Sequence, residues 1–149
     1  MPALTKTEVC RLLPHAGSMC LLDEVERWDT STIRCRAISH RDRENPLRHA
    51  GQLGIVSGLE YAAQAMGVHV GLLHRDRSTE SQRSIGYVGG VRDVTLGVER
   101  LDDLSADLVI DATRLLEGDD SFMYQFAVTA GGVTALTGRA SIFLKRVAS

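Results

Sequence analysis

The sequence predicts an α+β domain in which one long helix lies against an antiparallel sheet, and three observations predict it. The stretch from Ile55 to Leu73 is rich in Ala, Gly, Val, Leu and Met, with one acidic side chain, Glu60, and no Lys or Arg. Such a helix is built to be packed on nearly every side. Two strand-like runs precede it and four follow it, divided by turn signals. A lone helix too apolar to face water must be covered by the sheet that flanks it in sequence, which segregates helix to one face of the strands.

The elements follow in order. Thr5-Lys6-Thr7-Glu8 fits a capping box, with Thr5 at the N-cap and Glu8 at N3. Val9, Leu12 and Leu13 continue it as a short amphipathic helix that Pro14 ends. Met19 to Trp28 reads as a strand, and Ser31 to Ser39 alternates Ile33, Cys35, Ala37 against Thr32, Arg34, Arg36. A charged loop, His40 to Pro46, leads towards the long helix, which spans about 28 Å at 1.5 Å per residue. After a polar loop from His74 to Arg83 come four strands: Ile85 to Leu96, Asp107 to Leu116, Phe122 to Ala130 and Thr134 to Lys145. Gly97, Glu117-Gly118-Asp119-Asp120 and Gly131-Gly132 divide them, and Ala130-Gly131-Gly132 marks the clearest hairpin. One sheet covers only one side of a helix, so a second copy of the chain is expected to hide the other side in a symmetric dimer.

Composition excludes several classes. At 149 residues a single domain, 1–149, is expected. A formal net charge of −2 leaves no footprint for nucleic acid or an anionic membrane. The apolar helix carries Glu60, Gln64 and His69, so a core helix rather than a membrane span is expected. Cys10, Cys20 and Cys35 are an odd count without framework spacing, which predicts reduced thiols and a cytoplasmic chain. No CxxC or HxxxH pair offers a metal site. The N-terminus lacks the basic start and apolar run of a signal peptide.

Glu60 is the first candidate for chemistry. A carboxylate taken out of water costs several kcal/mol unless it is paired or protonated, so a lone Glu in an apolar helix is either bonded to backbone or Arg, or catalytic. On a helical wheel Gln64, Gly67 and Gly71 fall beneath it and Val56, Leu59, Ala63 and Val70 to one side. Glu60 is thus expected to point along a seam of small residues that leaves room for a slender group. Gln64, one turn on, is placed to orient Glu60 or the substrate, or to serve structure alone. Gly51, Gly54 and Gly58 lead into the helix. Backbone N–H groups there, with Gly54 or Ile55 as the donor, are placed to hold an oxygen that gains charge, unless the segment is simply an entry loop.

Two motifs carry a family resemblance. Leu12-Leu13-Pro14-His15-Ala16-Gly17-Ser18-Met19-Cys20-Leu21-Leu22-Asp23-Glu24-Val25 resembles the LPHRxPMLLLDRV opening of beta-hydroxyacyl-ACP dehydratases. Gly58-Leu59-Glu60-Tyr61-Ala62-Ala63-Gln64-Ala65 is similar to the GIEYMAQA helix start of the same group, in the form found in dehydratase-like hotdog proteins of aryl polyene and related pigment pathways. The resemblance runs from about Leu12 to Leu144. It implies the hotdog fold, a long central helix wrapped by a curved antiparallel sheet. It also implies general acid–base dehydration without metal or organic cofactor, and sites at a dimer interface.

In that resemblance the helix carboxylate serves the leaving hydroxyl and a loop histidine takes the proton from C2. Burial raises a carboxyl pKa, which suits the acid. The chain departs from the family at the histidine: the HFPGxPxxPG loop of housekeeping dehydratases is missing, and Pro46 stands where their catalytic His would be. The nearest histidine is His49, eleven residues before Glu60, either a base reaching a neighbouring chain's Glu60 or an exposed loop residue. His15 is a candidate to line the site or to serve structure; His40 and His69 are weaker candidates, with His69 on the opposite helix face from Glu60. Arg41, Arg43, Arg48, Arg75, Arg77 and Arg83 flank the helix ends, either to dock an acidic acyl carrier protein or, among neighbouring acids, as ordinary surface.

The expected activity is dehydration of a 3-hydroxyacyl thioester on acyl carrier protein to the trans-2-enoyl thioester. The alternatives are a hotdog acyl thioesterase and an inactive hotdog partner subunit. The expected assembly is a homodimer or higher oligomer, or a hetero-oligomer with another hotdog protein.

Overall fold

A computed structural model describes residues 3–13, 19–74, 82–118 and 120–148, with the backbone alone described at 82–87, 116–117 and 145–148. Helix α1 (Lys6–Arg11) opens the chain with the expected capping box: Thr5 accepts from the Glu8 N–H while Glu8 reaches back to the Thr5 backbone. Strands β1 (Glu24–Trp28) and β2 (Thr32–Ala37) follow. The long helix α2 (Gly58–His74) is entered through a 3-10 turn, Ile55–Ser57. Then come β3 (Gln82–Leu96), β4 (Leu108–Glu117), β5 (Ser121–Ala130) and β6 (Val133–Ala148).

The six strands form one antiparallel sheet in the order β1-β2-β4-β5-β6-β3. Helix α2 packs against β2, β3, β4, β5 and β6, which is the α+β arrangement expected. Alternation along β5 sends Phe122, Tyr124, Phe126, Val128 and Ala130 to the buried side. The β5–β6 turn pairs Ala130 with Val133 across Gly131 and Gly132, at φ +54° and +83°. Two successive left-handed residues are what a two-residue hairpin turn demands.

Three expectations need correction. The first strand starts at Glu24 rather than Met19, because the Met19 carbonyl and the Leu21 N–H are taken by the Gln64 side chain instead of a neighbouring strand. Cys10 and Cys20 form a disulfide, with Cα atoms 5.8 Å apart. The chain after α1 folds back on the helix, which sequence spacing did not reveal; Cys35 is free and buried. The seam of small residues on α2 is filled by the chain itself: a side chain at Gly67 would meet Leu13 at 3.4 Å, and one at Gly71 would meet Leu12 at 3.5 Å.

His69 is completely buried on the face of α2 turned away from Glu60's surroundings. Its Nε2–H donates to the Asp29 carbonyl at 2.7 Å, so its Nδ1 accepts from the Tyr124 hydroxyl at 2.6 Å. It pins the β1–β2 turn to the helix. His40 donates from Nε2 to the Leu104 and Ala106 carbonyls. No described helix is long and apolar enough to cross a membrane.

Candidate active site

The segment before α2 is held by one carboxylate that the sequence reading overlooked. Asp102 accepts from the Leu53 N–H at 2.9 Å and from Arg100 Nε at 2.9 Å, with Arg48 3.8 Å away. The Arg100 guanidinium and the Leu53 N–H hold the Asp102 carboxyl far below the usual range. Leu101 N–H donates to Leu53, and Ile55 N–H to Glu99. The Ile55 N–H is therefore committed to a neighbouring carbonyl. Gly54 lies between those two bonds, opposite Arg100 in an isolated bridge, so its own N–H is directed away from that strand. Open space surrounds the position its Cβ would take.

His49 lies a few residues upstream. Its N–H and carbonyl pair with those of Gln52 across Ala50 (φ +53°) and Gly51 (φ +77°), a tight turn with two left-handed residues. Its side chain is exposed. Arg48 anchors the turn by donating to the carbonyls of Asp42, Gly51 and His40. Arg41 bonds Asp107 and the Ser105 carbonyl. Of the loop arginines considered for docking, these two are thus tied to their own chain. Arg75, Arg77 and the side chain of Arg83 lie outside what is described, as does His15.

A second polar network fastens the same loop to the helix from inside. The Ser39 hydroxyl donates to the Leu21 carbonyl, so it accepts from the Tyr61 hydroxyl, which in turn accepts from Asn45. Burial pushes the Tyr61 hydroxyl pKa up, which keeps it a donor.

Glu60 is exposed in the single chain, alone among the residues of α2. The expectation of a buried carboxylate is corrected by its place in the first turn, on the strip that the sheet does not cover. It borders a groove of about 390 Å³ lined by Leu47, Val56, Ser57, Leu59, Ala63, Met66, Val88, Val91 and Phe126. Among the described residues, Glu60 is the one charged side chain of that lining. Gln64 is buried and donates to Glu60 at 3.3 Å, while it also donates to the Met19 carbonyl and accepts from the Leu21 N–H. It serves structure and touches the carboxylate at once. His49 is not part of the groove's lining, and among the described residues one chain alone brings together Glu60, Gln64 and an apolar wall, without a histidine. Among the described residues no cluster of three His, Cys, Asp or Glu side chains is placed to share a metal ion.

Sequence reasoning missed Met66, Phe126, Val88 and Val91 in this groove. Alternation along β5 turns Phe126 to the inner face, but nothing local in the sequence says which inner residues line a groove.

A family model described as ApeP-like, ApeP dehydratase, matches residues 7–148. Among solved structures, the dehydratase heterocomplex ApeI:P from Xenorhabdus doucetiae superposes with a TM-score of 0.79 at 26% identity, over 92% of this chain and 90% of that one. The PaaI protein of the E. coli phenylacetic acid degradation operon gives 0.64 at 8% identity, over 93% and 94%. A hypothetical thioesterase from Streptococcus pneumoniae TIGR4, solved with coenzyme A, gives 0.60 at 13% identity, over 84% and 87%. The latter two bear on the fold alone. The six-stranded curved sheet around one long helix is the hotdog fold that the motifs implied. No curated protein matches the chain.

Proposed function

The chain belongs to the ApeP-like dehydratase family, and on that premise we propose that it dehydrates a 3-hydroxyacyl thioester on acyl carrier protein to the trans-2-enoyl thioester, in polyene pigment or fatty-acid biosynthesis. The observation that carries this is Glu60 as the sole charged group, among the described residues, at the mouth of an apolar groove. An acyl chain occupies the groove, and its C3 hydroxyl meets the carboxyl, which protonates it as it leaves. The Gly54 N–H is the donor proposed for the thioester oxygen as charge develops there.

The C2 proton needs a base, and none is among the described residues that line the groove of one chain. We assign it to His49 of a neighbouring hotdog chain, so that two sites form per dimer. β3 supports such a union: it is a sheet edge and exposes Val88, Val91, Val94 and Leu96, close to Val56 in the groove. A partner over this strip also covers Glu60 and closes the groove from water. The partner is a second copy, or a different hotdog subunit that brings its own base in place of His49, the latter prompted by the heterocomplex to which the chain is similar.

That no histidine is among the described residues of the groove keeps two further readings in play: a thioesterase in which Glu60 activates water, and a subunit that stabilises an active partner. Mass spectrometry decides among them, with 3-hydroxyacyl-ACP incubated with wild type, Glu60→Gln and His49→Ala, each alone and with a second hotdog subunit. Loss of water, reduced about 10²–10⁴-fold by Glu60→Gln, supports dehydration; an equal loss in His49→Ala supports its role as base. Free acid as product means a thioesterase. Unchanged substrate throughout, or turnover that only the second subunit's variants abolish, means a supporting subunit.

A further inference from the structure

The groove has a mouth and a floor. Val56, 65% exposed, and Glu60 stand at the mouth, whereas Met66 and Phe126 are 1% and 2% exposed. Glu60, Ala63 and Met66 all line the groove and turn by about 120° around α2 from the exposed strip to the buried side, so the floor lies inward from the carboxylate and about 9 Å further along the helix axis. What fixes the floor is found outside the lining. Phe126 on β5 pairs directly with Gly138 on β6. A Cβ on Gly138 would stand 2.7 Å from Phe126 Cζ and 3.3 Å from its Cε2, with Val94 Cγ2 at 3.2 Å on another side. The ring therefore rests on bare backbone, and only glycine leaves it there.

Val94 owes its position to a bulge. The β3–β6 register shifts between Arg92 and Thr95, which pair with Arg139 and Thr137, so Asp93 and Val94 together face Gly138. Asp93 takes the left-handed conformation there, at φ +54°. With the sheet behind the ring and Val94 beside it, a ring displaced from Gly138 has room only towards α2, into the groove.

We infer that Phe126, seated on Gly138, sets the depth of the groove, and that Gly138 is a specificity-determining position for acyl-chain length although it does not line the groove. This rests on the reading above that the groove takes an acyl chain. Two substitutions act in opposite directions. Phe126→Leu deepens the floor, and Gly138→Ala pushes the ring forward and makes the groove shallower.

The test is equilibrium binding of S-alkyl pantetheine thioethers of increasing chain length to the full chain, with circular dichroism confirming that each variant is folded. For wild type, affinity rises about fourfold per buried methylene up to a length at which it breaks. The break moves to longer chains in Phe126→Leu and to shorter ones in Gly138→Ala, a pair of shifts that general destabilisation does not produce. A break at one length in all three proteins overturns the inference, as does folded wild type that binds none of the series. Dehydration of 3-hydroxyacyl-ACP measured in parallel separates the two claims. Shifting breaks without turnover sink the dehydratase reading and leave the groove assignment standing, whereas turnover with a fixed break does the reverse.

Discussion

The side-chain amide of Gln64 lies 3.3 Å from a carboxylate oxygen of Glu60 while bonding the backbone on both sides of Cys20. The Met19 carbonyl and the Leu21 N–H thus hold the amide, and the amide offers its donor to the carboxylate. Positioning of Glu60 and attachment of the chain after α1 are one device.

Gln64→Ala breaks that device. It leaves two backbone groups without partners next to a helix, at about 1–3 kcal/mol each if water does not replace the amide. It also frees the Glu60 side chain to adopt other rotamers. If Glu60 acts on the leaving hydroxyl, kcat falls by about 10²-fold, the scale of a misplaced catalytic group, with KM little changed. Steady-state kinetics beside thermal melts check this; a stability loss with kcat intact would restrict Gln64 to structure.

Asp102→Asn tests the brace on the loop before α2. The substitution keeps the shape but removes the charge that pairs with Arg100 and Arg48 and accepts from Leu53. Its carboxyl pKa is strongly depressed in the folded chain, so the charged form stabilises the fold. An unfolding free energy lower by about 1–3 kcal/mol is expected, with faster amide exchange at Leu53 and Ile55. Unaltered exchange there would show that Arg48 and the Leu53–Leu101 bond suffice.

The fold was legible because it rests on local patterns. The capping box at Thr5 and Glu8, the near-uniform apolar run from Ile55 to Leu73, strand alternation and the paired glycines at 131 and 132 are each local features of the chain. The site was legible only in part. Glu60 and Gln64 stand out as polar residues in an apolar helix, and the structure brings them together. Whether Glu60 is buried, which glycines are covered by Leu12 and Leu13, and how Asp102 reaches Leu53, 49 positions away, depend on residues far apart in sequence that meet only in the folded chain. Ile55 shows the limit most simply: its N–H sits at a helix start, but a carbonyl from Glu99 already occupies it.

The Cys10–Cys20 disulfide gives a third prediction. It closes a loop across which Leu12 and Leu13 cover Gly71 and Gly67. Reduction by a dithiol, or Cys10→Ser with Cys20→Ser, releases that constraint on the unfolded chain and lowers stability by about 2–3 kcal/mol. A melting temperature lower by roughly 2–4 °C per kcal/mol is expected in reductant. Equal melts with and without reductant would show that the packing of Leu12 and Leu13 holds the segment unaided.

The two buried histidines make stability depend on pH with a definite sign. His40 and His69 are completely buried, and burial pushes the pKa of each down from its ordinary value. Protonating His69 also puts a hydrogen on Nδ1, where the Tyr124 hydroxyl now donates. In the unfolded chain both histidines titrate near pH 6.5. Below that pH the unfolded chain takes up protons that the folded one refuses, so their contribution is fully present above the unfolded value and is lost as pH falls towards the depressed folded one. The limiting slope is about 1.4 kcal/mol per pH unit for each histidine. Urea midpoints measured from neutral pH down into the mildly acidic range should therefore fall. His69→Gln is expected to be less stable at neutral pH, having lost a fitted partner for Tyr124 and Asp29, yet to fall less steeply because one of the two refused protons is gone. A variant slope as steep as that of wild type would remove His69 as a source of the pH dependence.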